Sequence, residues 1–282
     1  MSPFVTLPAR ASRPSESTHL RPHLRTLNAA DTRDMVRPVR GRRAKAKPGG
    51  IVLWEGFSPI DGAPIVAIAT GLSRPSSNRK TGPMVQVWIL RADVSPSEAV
   101  ATDADASVCG SCPLKGLGFK KRACYVNVGQ APAAVWRAYQ RGSYPRVTLQ
   151  AARDLIEGRA LRLGAYGDPA MVPARFLKAW TQAAKSHTGY THQWRAPFAT
   201  DAHRELLMAS ADTAEDRAEA LARGWRFFGI TTTPDDVESA IECPADRGLT
   251  TCEKCGLCAG TSKRAKSIVI RAHGAGAQYV PV

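Results

Sequence analysis

The chain has 282 residues, 44% of them hydrophobic, and 39 Arg and Lys against 24 Asp and Glu give it a formal charge of +15. That length suits one large domain or two small ones with a real apolar core. No apolar run is long enough to cross a bilayer and the amino terminus lacks a secretory-type apolar stretch, so a cytoplasmic protein with no membrane partner is expected.

The charge is uneven. Residues 1–50 hold eleven Arg and Lys against Glu16, Asp31 and Asp34, a net of +8, and the remaining 232 residues carry +7. This Pro-, Ser- and Arg-rich stretch is expected to be a disordered basic tail, either riding on nucleic acid phosphates or simply solvated. Its one aromatic residue, Phe4, offers little to stack on bases.

Lys47-Pro48-Gly49-Gly50 is a turn-rich boundary, after which residues 51–282 read as a single α/β domain. Ile51–Trp54, Pro64–Thr70 and Met84–Leu90 are β-branched or aromatic runs that predict strands. The polar stretch Ser76–Gly82 reads as a loop, either a hairpin connection or a phosphate-contacting segment. Helices are expected over Pro132–Arg141, with Val135, Trp136 and Tyr139 on one face, and over Ala151–Glu157. A strand over Ala160–Tyr166 runs into Gly167-Asp168-Pro169, and a helix follows at Ala174–Lys185. Thr188–His192 and Glu205–Ala211 read as strands. Asp212 with Glu215 makes a capping-box-like start for a helix closing at Gly224. Trp225–Ile230 predicts another strand, Thr233-Pro234 a short helix, and Ser267–Ala272 a last strand ending at His273.

Strands alternating with helices imply parallel pairing. The fold class expected is therefore α/β: a partial (β/α) barrel or an open, mostly parallel sheet, with cysteine-rich metal-binding loops. In such folds the carboxyl ends of the strands form the working face. Asp168, His192, Asp212, Thr231 and His273 each follow or end a strand and are expected to cluster there.

The seven cysteines fall into two groups. Cys109, Cys112 and Cys124 form C-x2-C-x11-C, and Cys243, Cys252, Cys255 and Cys258 form C-x8-C-x2-C-x2-C within sixteen residues. An odd number of thiols in a reducing compartment favours metal over disulfides. The C-x2-C-x2-C run is a spacing used for iron–sulfur clusters, and four thiolates also suit a closed zinc site. Three thiolates on a four-iron cluster leave one iron open to a small chelating ligand or substrate. The first set is alternatively a zinc site completed by His192 or His273, or both sets share one cluster. Cys124, close to Lys120, Lys121 and Arg122, also has the surroundings of a nucleophile. No HExxH, Walker A, GxGxxG or GxSxG motif occurs, which removes several enzyme classes.

The combination Cys109-Gly-Ser-Cys112-Pro, Ala123-Cys124-Tyr125, Gly167-Asp168, Gly189-Tyr190-Thr191-His192 and Cys243-Pro244-Ala245 with the later cysteines resembles a family of uncharacterised bacteriophage and mobile-element proteins. The layout also resembles that of radical S-adenosylmethionine enzymes, which place three cysteines near the start of a partial barrel. Their usual triple is C-x3-C-x2-C, which differs from the spacing here. This resemblance implies a 4Fe-4S cluster on the first set, S-adenosylmethionine as a cofactor, and an auxiliary cluster on the second set. It places Gly167 and Asp168 against the cofactor's amino group.

Two functions follow. One is an iron–sulfur enzyme with Asp168 as hydrogen-bond acceptor or acid/base, His192 as proton carrier or distal ligand, and Tyr190 lining the cofactor pocket. For Asp168 the simpler reading is a cap on the next turn. The other is a zinc-stabilised nucleic-acid-binding protein without catalysis, with Trp136, Trp194 and Trp225 either stacking on bases or filling the core.

Overall fold

The computed structural model describes residues 48–231, 239–273 and 277–280. Most of the basic tail and the helix expected from Thr233-Pro234 lie outside them. In the first sheet, β1 (Gly50–Phe57), β2 (Pro64–Thr70) and β3 (Val85–Arg91) form an antiparallel meander. Next, β4 (Ala160–Tyr166) and β5 (Ser186–Thr188) add in parallel. A second sheet has the order β6 (Tyr190–Thr191), β7 (Met208–Ser210), β8 (Phe227–Thr231), β10 (Ser267–Arg271), β9 (Ala240–Glu242), with every pairing parallel. The fold is thus mixed α/β with mostly parallel sheets, and among the described residues neither sheet closes into a barrel.

The segment expected as one strand over Thr188–His192 is two. At Gly189 the chain leaves the first sheet for the second: its carbonyl accepts the Met208 N–H at 3.0 Å and its N–H donates to the Cys258 carbonyl at 3.0 Å. A strand paired to one neighbour before this point and another after it cannot keep one ladder.

Between the strands run α1 (Pro96–Ala101), α2 (Ala106–Cys109), α3 (Ala131–Gln140), α4 (Leu149–Ile156), α5 (Ala174–Ala183), α6 (Asp201–Leu206), α7 (Ala214–Ala222) and α8 (Cys252–Cys255). The first two and β9 escape a periodicity search because each is shorter than two helical turns or three strand repeats. Thr148 starts α4 two residues before the expected position, its Oγ1 accepting from Ala151 N–H at 3.2 Å.

Two expectations are corrected. Glu205–Ala211 is not all strand, since Glu205 and Leu206 end α6. That helix opens with the Thr200 N–H donating to His203 Nδ1 at 3.2 Å. Histidine takes the place that Glu or Gln holds in a usual capping box, so the signal is hidden in the sequence. Nor does Asp212 cap the following helix. Thr213 does, its Oγ1 accepting from Asp216 N–H at 3.1 Å. The Asp212 carboxylate instead accepts from Ile230 N–H at 3.3 Å across to β8.

One large core lies between the sheets and helices, with Trp180, Phe227, Ile51, Ile68 and Leu163 fully enclosed. Trp180 is carried on the apolar face of α5 with Leu177, and its truncation to Ala is worth about 3–5 kcal/mol. Trp194 and Trp225 are buried in the same core and offer no open face for bases, and Trp136, half-buried, packs against it. No described helix is long and apolar enough to cross a membrane.

Candidate metal and cofactor site

A cavity of about 370 Å³ opens at the carboxyl ends of the parallel strands. Asp168 after β4, His192 after β6, Asp212 after β7 and His273 after β10 all line it. Thr231 is not part of the lining. Parallel pairing points the carboxyl ends of neighbouring strands the same way, which is why residues far apart in sequence meet there.

Cys109, Cys112 and Cys124 face this cavity together. Cys109 ends α2, and Gly110 turns the chain at φ +57°, where an added Cβ would stand 2.3 Å from Gln193 Oε1. The Gln193 amide closes the loop. Its Nε2 donates to the Cys109 carbonyl at 3.1 Å, and its Oε1 accepts from the Ser111 N–H at 3.3 Å. Beneath the loop, buried Asp105 pairs with Lys115 at 3.7 Å and Arg122 at 3.5 Å. Burial, then the neighbouring Cys112, Asp105 and Cys124, pushes the Cys109 thiol well up. Cys124 is also pushed up by burial, although Arg122 and the Val126 N–H, which donates to its sulfur, pull the other way. The metal-free Cys124 is therefore a protonated thiol, unlike an activated nucleophile.

His192 stands beside this set. Its Nε2 is 3.9 Å from Cys112 Sγ and 3.3 Å from Asp212 Oδ2. Burial alone would lower its pKa, but Cys112 and Asp212 as negative neighbours raise it well above the ordinary histidine value. Asp168 is buried, with Oδ1 accepting from Ala170 N–H at 2.9 Å and Oδ2 from His192 N–H at 2.8 Å. The capping role expected for it is realised, and it coexists with a place in the cavity wall. Gly167 sets that position at φ +77°, where any Cβ would lie 2.3 Å from the Ile89 carbonyl oxygen.

The second set gathers around an adjoining pocket of about 40 Å³ lined by Cys243, Cys252, Cys255 and Cys258. Thr251 caps α8, and Gly256 in the left-handed conformation at φ +59° reverses the chain toward Cys258. Backbone N–H groups of Asp246 and Ala245 point at the Cys243 sulfur, the donor pattern that stabilises thiolate charge. Cys258 is pushed up to about 12 by burial, against the Tyr190 hydroxyl that hydrogen-bonds its sulfur. Tyr190, expected near the first set, thus touches the second while still lining the main cavity. Cys252 borders both spaces.

All seven thiols are free of disulfides. Among the described residues, no three Cys, His, Asp or Glu side chains converge closely enough to hold one metal ion. The chain matches no family model, and no curated protein or solved structure shows significant similarity to it.

Several contributors gave no signal in the sequence. The Ser76–Gly82 loop, a plain connection by composition, docks the second set: Lys80 and Thr81 carbonyls accept the Cys252 and Glu253 N–H groups at 3.0 Å. Arg226 donates to the carbonyls of Leu257, Gly260 and Lys266 at 2.6–2.9 Å and holds the returning chain. Gln193 and Arg162 reach the site from strands or their ends. An isolated amide or guanidinium in a strand region has no spacing partner that would mark it.

Proposed function

We propose that this chain is an iron–sulfur metalloprotein laid out like a radical S-adenosylmethionine enzyme, with a four-iron cluster on Cys109, Cys112 and Cys124 and a second metal site on Cys243, Cys252, Cys255 and Cys258. The observation that carries this reading is the arrangement of three thiols around one chamber at the strand carboxyl ends, beside a buried Asp–His–Asp group.

When bound, such a cluster supplies an electron and, on three thiolates, an open iron for a chelating ligand such as the amino-carboxylate end of S-adenosylmethionine. The protein's part is positioning. Asp168, fixed by two backbone donors and the Thr191 hydroxyl, offers its remaining acceptor capacity to an ammonium group. His192 holds a proton at Nε2 between Cys112 and Asp212 and is placed to exchange it with a bound substrate. Phe228, Ile230 and Ile270 supply an apolar wall that excludes water.

Anaerobically purified protein is the test. A brown protein absorbing near about 400 nm, with iron and sulfide that fall in Cys112→Ala and Cys255→Ala, is expected. Colourless protein loaded with zinc would replace this reading with the zinc-stabilised binding protein.

A further inference from the structure

The strand β4 runs along the cavity wall and contributes several residues to it. Arg162, Gly164 and Tyr166 line the chamber, while Leu161 and Leu163 are buried in the core. Arg162 is a cation on the cavity wall, carried by β4 six residues before Asp168.

Its hydrogen bonding is incomplete. A guanidinium has five N–H donors, and the one bond Arg162 makes among the described residues goes from Nη2 to the Tyr125 hydroxyl at 2.6 Å. No carboxylate lies within ion-pair distance of it there. The other cations of the chamber differ: Lys80 is paired with Asp246 at 2.5 Å and His192 with Asp212 at 3.3 Å. Arg217 and Arg226 each give three bonds to backbone carbonyls, while Arg153, away from the chamber, leaves its Nε without a partner.

Arg162 is half-buried and lines the cavity, so the donors it leaves free are open to an anion that enters it. Tyr125 extends the same corner. Its ring lies against His273, centroids 6.4 Å apart, and His273 also lines the chamber. Phenol, imidazole and the rest of the guanidinium fork thus surround one patch of cavity, distinct from the Asp168–His192–Asp212 group.

We infer that Arg162, with Tyr125 and His273 beside it, forms an oxyanion subsite, and that the substrate of this chamber carries a carboxylate or phosphate group. The inference rests on the reading of the chamber as a substrate site and adds the substrate's chemical class. The planar fork suits bidentate recognition of either anion, and the aromatic rings suit an unsaturated or ring-bearing substrate body. Cys252 is within electrostatic reach of Arg162, so the competing role is to offset charge on metal-bound thiolates of the second set.

The experiment titrates inorganic phosphate and, separately, acetate into the purified full-length protein at constant ionic strength, with calorimetric readout. Wild type, Arg162→Gln, Arg162→Lys and the exposed-site control Lys263→Gln are compared. We expect the wild type and Lys263→Gln to bind one of the probes equally well. Binding weakens about tenfold or more in Arg162→Gln and severalfold in Arg162→Lys, which keeps the charge but loses the fork. Should Arg162→Gln fail to fold, the Lys variant carries the comparison. The tighter probe names the anion class. Unchanged binding in the Arg162 variants, no binding of either probe to wild type, or mutual exclusion of probe and S-adenosylmethionine would overturn the inference. Iron content reads the cluster separately: iron-loaded protein without anion binding removes the subsite alone, and iron-free protein that binds phosphate removes the cluster alone.

Discussion

The Asp168 carboxylate accepts the backbone N–H of His192 at 2.8 Å and so ties the end of β4 to the end of β6. Its other oxygen caps the turn at Ala170. Asp168→Ala orphans these two backbone donors and the Thr191 hydroxyl and is expected to lower stability by about 2–4 kcal/mol. Asp168→Asn retains one acceptor and should lose about half as much. Urea unfolding with an unchanged m-value measures both.

Gln193 joins the first cysteine loop to the end of β6 through Cys109 and Ser111. Gln193→Ala is expected to loosen that loop with a modest loss of global stability, about 1–2 kcal/mol. Iron should leave the variant faster than wild type in the presence of a chelator, followed by the decay of visible absorbance.

His203 accepts from Thr200 N–H at Nδ1, and its Nε2 donates to the Val172 carbonyl at 3.0 Å. Burial lowers its pKa below the ordinary 6.5, against the Val172 carbonyl and Asp168, which raise it. As pH falls through the ordinary histidine value, the unfolded chain takes up a proton that the folded protein does not. The unfolded state then binds more protons, so stability falls with acidification in that window. From about pH 7.5 to 5.5 the melting temperature of wild type should fall relative to that of His203→Gln, a comparison in which the opposite contribution of His192 cancels.

The two thiol sets are expected to act as separate metal sites. Cys124→Ala and Cys258→Ala should each lose part of the iron and keep the rest. Complete loss in both would mean one shared site. In protein stripped of metal, Cys258, pushed up to about 12 by burial, should resist alkylation near about pH 8 until the protein unfolds.

Much of the architecture is readable from local pattern. β2 and β4 have the bounds that β-branched runs predict, and the amphipathic repeat of Phe176, Leu177 and Trp180 marks α5. The failures have two causes. At Glu205–Ala211 a local cap uses His203 where Glu or Gln is usual, and at Asp212 a tertiary contact to the Ile230 amide overrides the local capping preference.

Composition and spacing were enough to divide the thiols into two groups and to name the polar residues at the strand ends, because such features need only near neighbours in the chain. What required three dimensions was that Cys252 borders the chamber of the first set, that Gln193 latches a loop 82 residues earlier, and that Arg162 faces open space beside Tyr125. Each depends on which strands adjoin. That choice is made by burial of the whole core, and no short segment encodes it.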